Sequence, residues 1–278
     1  MPIETNPTTQ TDLSDALRSL GLDGKPLCVH SSLRSFGRPT LRAEAVIDAA
    51  LSVGCTLMVP AFGYIFARNS LPGMKPARNG WAYDTDWDRQ IVPGDTMVYR
   101  PSSDVVAPEM GALPAALLHH PKRIRGEHPV NSFAAVGPLA EQMIGGQKPM
   151  DVYAPLRELI ACDGWIVLMG VGLNSLTLLH YAESLAGRTL FRRWANGSDG
   201  RGIEVECGGC SSGFGKLLPA MAPAIRRKHV GQSEWMVMPA GRAAELAAQA
   251  IATDPQITHC GRPDCDRCRD GIAGGPIV

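Results

Sequence analysis

A base and a carboxylate on one helical face are the residues of this sequence best placed to do chemistry. His180 and Glu183 stand three positions apart in Thr177-Leu178-Leu179-His180-Tyr181-Ala182-Glu183, and on a helix such positions are neighbours. A histidine, with an ordinary pKa of about 6.5, takes up and returns protons near neutrality. A carboxylate on its second nitrogen fixes the tautomer and stabilises the imidazolium that forms. The pair is suited to act as a general base toward a nucleophile. Thr177 lies one turn earlier on the same face, and its hydroxyl, with the backbone amides of the glycine turn upstream, is a candidate donor to an oxyanion. A histidine on a helix is more often structural than catalytic, so the surrounding elements must decide.

Those elements read as strand, turn and helix. Trp165-Ile166-Val167-Leu168-Met169 is an apolar run, Gly170-Val171-Gly172 is a tight turn, and a helix starts near Asn174 or Ser175. Ligands of α/β sheets gather where strands run out into such turns. A second strand, Pro26-Leu27-Cys28-Val29, ends in His30-Ser31-Ser32-Leu33-Arg34-Ser35, a histidine followed by hydroxyls. An amphipathic helix over Leu41 to Val53 and a strand over Thr56 to Pro60 come next, the pattern of a parallel βαβ unit. Further helices are predicted over Leu13 to Leu20, Glu109 to His120, Leu139 to Ile144 and Pro155 to Ala161. A strand is predicted over Arg201 to Glu206, and closing helices over Phe214 to Val230 and Ala240 to Ala252.

Between Ala61 and Pro108 the periodicity dissolves into Gly, Pro, Asn, Asp and aromatics, a loop-rich insert of the kind that is usually functional. It holds Trp81-Ala82-Tyr83-Asp84-Thr85-Asp86-Trp87-Asp88. Aromatic faces suit sugar rings and cations, and carboxylates suit ammonium groups, so Asp84 and Asp86 are candidate contacts to a polycationic aminosugar; the alternative is a solvated turn.

Of the eight cysteines, Cys28, Cys55 and Cys162 sit in or beside apolar runs, as small buried residues do. Cys207-Gly-Gly-Cys210 and Cys265-Asp-Arg-Cys268 are two pairs with knuckle spacing, able to give four thiolates to one structural zinc, with Cys260 and His259 as candidate replacements for one ligand. Such an ion would tie the Cys-rich tail, residues 255–278, to the strand carrying Glu206.

The chain of 278 residues, 45% hydrophobic, is long enough for a full core, and its 27 basic and 27 acidic side chains leave no net field to attract nucleic acid or an anionic membrane. Nothing near the start has the charge and apolar run of a signal peptide, and no apolar run nears the ~20 residues that span a bilayer. The expectation is a soluble, cytoplasmic protein with reduced cysteines, a monomer or homodimer.

Val29-His30-Ser31-Ser32-Leu33, the helix start at Met110-Gly111, Arg125 with His128-Pro129 and Ser132-Phe133-Ala134-Ala135-Val136-Gly137, and Gly170-Val171-Gly172 through Thr177, His180 and Glu183, in that order, closely resemble the antibiotic N-acetyltransferases. This is the aminoglycoside 3-N-acetyltransferase family, distinct in fold from the GCN5-related enzymes. The resemblance runs from about Leu13 to about Met221. It implies transfer of acetyl from acetyl-CoA to an amine, typically the 3-amino group of an aminoglycoside, with His180 as base. It leaves two acids in competition for that histidine, Glu183 and Glu206. It places a CoA-binding turn at His30, Ser31, Ser32, Leu33, Arg34 and Ser35, joined by Met110, Arg125 and Ser132. Acceptor contacts fall to Tyr64, Asn174 and His128 besides the two aspartates; His128, extended before Pro129, could instead brace the base. The fold implied is one α/β domain over residues 1–278, with a mixed, largely parallel central sheet and helices on both faces. Two other readings stand beside this one: the same acetyl-CoA chemistry on a non-aminoglycoside amine, and a zinc-stabilised binding module without catalysis.

Overall fold

Alternation along the strands sorts the core. Leu27, Val29, Leu57, Val59, Val167 and Met169 belong to one buried cluster, while Cys28, Met58, Ile166 and Leu168, the residues between them, belong to another. Side chains of a strand point alternately to its two faces, so both faces of this sheet are covered. The computed structural model describes residues 7–38, 40–71, 73–83 and 96–277.

The strands are β1 (Pro26–Ser31), β2 (Thr56–Pro60), β4 (Ile124–Arg125), β5 (Phe133–Val136), β6 (Trp165–Met169), β9 (Arg226–Val230) and β10 (Ser233–Pro239), with the short β3 (Ala67–Arg68), β7 (Phe191–Asn196) and β8 (Gly202–Cys207) apart. The first seven form one sheet in the order β4-β5-β2-β1-β6-β10-β9, and the other three form a second sheet in the order β3-β7-β8. At the centre β2, β1 and β6 are parallel, and the strands outside them join antiparallel. The mixed sheet with a parallel centre is therefore present.

Helices α1 (Gln10–Ser19), α2 (Ala43–Ser52) and α3 (Ala112–Leu118) cover one face through residues such as Leu13, Leu17, Val46, Ile47, Leu113 and Leu117. The other face is covered by α4 (Ala140–Ile144), α5 (Ala154–Ala161), α6 (Leu178–Leu185), the short α7 (Leu218–Met221) and α8 (Ala240–Thr253). The buried stripe of α8, Ala240, Ala243, Ala244 and Ala247, repeats at helical spacing, and its small side chains let α6 and α8 pack closely. A last helix, α9 (Asp266–Ile272), lies in the tail. No helix among the described residues is long and apolar enough to cross a membrane.

Three predicted elements take another form. The helix over Glu109 to His120 is broken at Gly111, whose φ of +84° leaves a 3-10 turn at Pro108–Met110 ahead of α3. The helix over Phe214 to Val230 is interrupted by Pro219 and Pro223, neither of which can donate to a continuing ladder. The segment forms a 3-10 turn and α7, and then Arg226–Val230 runs as an edge strand paired to β10, its exposed Arg226, Arg227 and His229 unsuited to further strand pairing. The helix of the central motif begins at Leu178, after a 3-10 turn at Leu173–Ser175. Within 61–108 the described residues contribute a 3-10 turn at Tyr64–Phe66 and β3. Asp84 and Asp86, with Trp87 and Asp88, lie outside the described residues.

Two contacts hold the site-bearing segments in place. Gly170, at the end of β6, has a φ of +65°, and a Cβ there would collide with Ser35 Oγ. His128 ties the two sheets together: its ring is fully buried, Nε2 donates to the Glu206 carbonyl at 2.8 Å, and Nδ1 accepts from the amides of Val130 and Asn131. Burial drives its pKa down to about 4, and His30 likewise to about 4.

Gly170→Ala should therefore destabilise the protein by about 2–4 kcal/mol, from left-handed backbone plus overpacking. Gly172→Ala, with nothing near its Cβ, should change stability by less than about 0.5 kcal/mol; urea unfolding of the two variants compares them directly. A second expectation concerns pH. The folded state holds His128 neutral, whereas the unfolded chain takes up a proton below about pH 6.5, so its contribution is intact above that pH and is lost as the pH falls toward 4. Urea midpoints at pH 7.5 and pH 5 should show a smaller loss on acidification for His128→Asn than for the parent.

Candidate active site

The C-terminal ends of β1 and β6 lie side by side, with the Ser32 amide donating to the Met169 carbonyl at 2.8 Å. The two motifs that come after these strands thus open into one cavity of about 1950 Å³. Its walls include His30 to Arg34, Met110, Tyr64, Asn174, Thr177 and His180.

His180 is fixed on every side but one. Its Nδ1 is 2.8 Å from Glu183 Oε2, and Glu183 Oε1 accepts from Arg188 Nη1 at 2.5 Å. Arg188 in turn donates to Thr258 Oγ1 and to the Pro255 carbonyl. The Phe214 ring meets the imidazole at 60° with centroids 4.7 Å apart, and Tyr153 lies parallel to it at 6.5 Å. Gly208 closes the remaining flank, where a Cβ would come within 2.5 Å of His180 Cγ. Since Glu183, held by a guanidinium, only accepts, the proton of the neutral imidazole sits on Nδ1 and the lone pair is on Nε2. Among the described residues Nε2 has no hydrogen-bond partner.

Glu206 is engaged elsewhere. Its carboxylate accepts from Arg192 Nη1 at 2.8 Å, across the β7–β8 ladder. The acid that meets the histidine is Glu183.

The remaining candidate residues divide between cavity and scaffold. His30, Ser31, Ser32, Leu33, Arg34 and Met110 line the cavity, and Arg34 has no carboxylate partner among the described residues. Ser35 does not line it: its hydroxyl donates to the Ser32 carbonyl and pairs with Ser233 Oγ, bracing the turn. Arg125 and Ser132 are also behind the wall. The guanidinium is buried and spends its donors on Ser132 Oγ, the Ser103 carbonyl and the Ala61 carbonyl, and the Ser132 hydroxyl also donates to Ala61. His128 is not on the cavity wall and serves as the brace described above. Asn174 Oδ1 accepts from the Gly215 amide at 2.6 Å, so the residue lines the cavity with one group already used.

Several wall residues carry no motif. Glu109 and Asp264 face the cavity without an ion-pair partner among the described residues. Tyr64 is 42% exposed as a residue, yet the wall shields its hydroxyl beside Glu109, and this loss of solvent, with that carboxylate next in effect, raises its phenol pKa, so it remains a neutral donor. Arg188 is signalled in the sequence only by its position just past the end of α6, and Gly208 is hidden within a cysteine pair.

Behind the Gly208 loop four sulfurs converge. They belong to Cys210, Cys260, Cys265 and Cys268, all within 4.8 Å of one another. Cys207 is not one of them, because it is held in the β7–β8 ladder opposite Phe191, and Cys260 takes its place.

Residues 28–252 match the family model described as aminoglycoside 3-N-acetyltransferase. The chain is 34% identical over 191 residues to aminoglycoside N(3)-acetyltransferase IX of Micromonospora chalcea, covering 65% of this chain and 63% of that protein. It is 28% identical over 238 residues to aminoglycoside N(3)-acetyltransferase VIII of Streptomyces fradiae, covering 77% and 76%. The match thus spans less than two thirds of the length of several relatives, 63% and 62% for two of them. Among solved structures, a variant of aminoglycoside acetyltransferase AAC(3)-IVa in complex with a gentamicin superposes with a TM-score of 0.74 at 23% identity, covering 97% of this chain and 99% of that one. A binary complex of AAC-IIIb with CoASH gives 0.69 at 22%, covering 88% and 96%. With the family model matched over most of its length and the fold shared with these structures, the chain belongs to the aminoglycoside 3-N-acetyltransferase family.

Proposed function

We propose that the protein transfers the acetyl group of acetyl-CoA to an amino group of an aminoglycoside, the 3-amino group by analogy with its relatives, and that His180 is the base. The observation that carries this is the Glu183-held imidazole with its open nitrogen on the wall of a cavity shared with the β1 turn. Pockets for drug-sized molecules run to about 1,000 Å³; this one, at about 1950 Å³, has room for a nucleotide thioester and a second molecule.

The wall carries groups that suit each of the two substrates. Ser31 and Ser32 offer hydroxyls, and Arg34 offers a guanidinium without a carboxylate, which suits pantetheine amides and phosphate. Glu109 and Asp264 offer carboxylates on the same cavity wall, which suits the ammonium groups of an aminosugar. An amine attacks a thioester only when neutral. His180 Nε2 takes the proton as the nitrogen bonds to the carbonyl carbon. Negative charge builds on the carbonyl oxygen, where Thr177 is the side-chain donor at hand. The carbon–sulfur bond then breaks, the proton passes from the imidazolium to the departing sulfur, and the products are the amide and CoA thiol.

Free thiol released from acetyl-CoA, measured with and without a panel of aminoglycosides, tests the reading. Acceptor-dependent release is expected; release with simple diamines but with no aminoglycoside would move the activity to another amine, and none with any amine would refute it. His180→Ala should lower kcat by about 10²–10⁴, and Glu183→Gln by roughly 10², whereas Glu206→Gln should stay within a few-fold of the parent. Glu109→Gln and Asp264→Asn should each raise the KM for the acceptor by roughly tenfold while leaving that for acetyl-CoA unchanged, since a hydrogen bond to a charged group contributes about 1.5–3 kcal/mol.

A further inference from the structure

We propose that Cys210, Cys260, Cys265 and Cys268 bind one Zn2+ as a closed tetrathiolate site, and that this ion builds the acceptor side of the cavity by stapling the tail to the loop after β8. The second half of this inference rests on the transferase reading; the first half does not.

The ligand geometry is nearly formed. Zinc bound by four thiolates at about 2.3 Å places the sulfurs about 3.8 Å apart. Here all four sulfurs are within 4.8 Å of one another, so side-chain rotation of under about 1 Å completes the tetrahedron. No two of them are bonded to each other. Cys265 and Cys268 have knuckle spacing at the start of α9, Cys260 enters from the turn at Gly261, whose φ is +91°, and Cys210 comes from the loop after β8. Four thiolates leave no position for water, so the ion is structural.

The surroundings resemble those of a metal–sulfur site in two further respects. The Cys260 amide donates to Cys268 Sγ at 3.3 Å, and Arg262 Nη2 donates to Cys265 Sγ at 3.8 Å. Such donors orient thiolate ligands and offset the two negative charges that a zinc tetrathiolate carries.

The staple has a defined mechanical effect. Three ligands belong to the tail and one to the loop that presses Gly208 against His180. Cys210 and Cys265 themselves line the cavity, together with Ser211, Ser212, Asp264 and Arg267. Just ahead of Cys260, the tail supplies Thr258 Oγ1 and the Pro255 carbonyl to Arg188, the residue that holds Glu183, and the His259 carbonyl to Lys216. Gly213 crosses the tail so closely that a Cβ would collide with the Thr258 carbonyl oxygen. The turn at His30 to Arg34 has no part in this set of contacts, so loss of the ion should spare the CoA end.

Elemental analysis of the protein, purified reduced and without chelator, tests the site independently of any activity. About one equivalent of zinc is expected in the parent and in Cys207→Ser, and less than half in Cys260→Ser. Zinc below half an equivalent in the parent, an equivalent of iron in its place, or equal loss in the two variants would overturn the assignment. Protein grown with cobalt provides a readout that needs no variant: an intense sulfur-to-cobalt charge-transfer band is expected, and a spectrum of oxygen-ligated cobalt would refute the tetrathiolate. For the wall, Cys260→Ser should bind CoA within about twofold of the parent while its acceptor KM rises at least tenfold; an unchanged acceptor KM after zinc loss would refute the stapling role.

Discussion

The buried ion pair between Arg188 and Glu183 is the interaction on which the rest of the site depends. Neither group makes sense alone: a carboxylate and a guanidinium this shielded from water are each costly unless paired and hydrogen-bonded. Arg188 reaches Glu183 with one nitrogen while that nitrogen and its neighbour are also held by Thr258 and Pro255. Glu183 then has one oxygen left, and that oxygen meets Nδ1 of His180. The result is an imidazole whose tautomer and ring plane are set by the protein itself. In the proposed reaction little reorganisation is needed when the imidazolium forms, the condition under which fixed charges are most effective.

The sheet explains why that imidazole faces the cavity. Because β1 and β6 are adjacent and parallel, the turns after them emerge on the same edge, one carrying His30 to Arg34 and the other leading into α6 with Thr177 and His180. The hydroxyl-bearing turn and the imidazole thus come from two different βα connections, as at other switch points of parallel sheets. The small β3-β7-β8 sheet closes the opposite side, and its loop after Cys207 carries both Gly208, against the imidazole, and Cys210, among the four sulfurs.

How much of this could be read from the sequence depends on which signals are local. His180 and Glu183 were legible because their contact is a property of one helix, three residues apart. The parallel centre is legible because Pro26 to Val29, Thr56 to Pro60 and Trp165 to Met169 are largely apolar runs separated by helical segments. Long-range pairing was not. Arg226 to Val230 reads as polar, and only its antiparallel partner β10 makes it a strand. Glu206 lies on a strand as predicted, yet the choice between it and Glu183 turned on Arg192 opposite it, a partner fixed by the β7–β8 register. Arg125, Ser132 and Ser35 have the chemistry of phosphate and pantetheine ligands, but their hydrogen bonds are consumed within the protein. The cysteine spacing marks three of the four sulfurs that converge, Cys210, Cys265 and Cys268, but not Cys260, since Cys207 stays in the β7–β8 ladder while Cys210 lies beyond the strand end.

A double-mutant cycle on kcat/KM for acetyl transfer, using His180→Ala, Glu183→Gln and the pair together, tests the central claim most directly. If Glu183 acts only by holding and charging the imidazole, removing it from a protein already lacking His180 costs nothing further, and the double variant should match His180→Ala. Additive losses would show that the two residues act independently and would contradict this account.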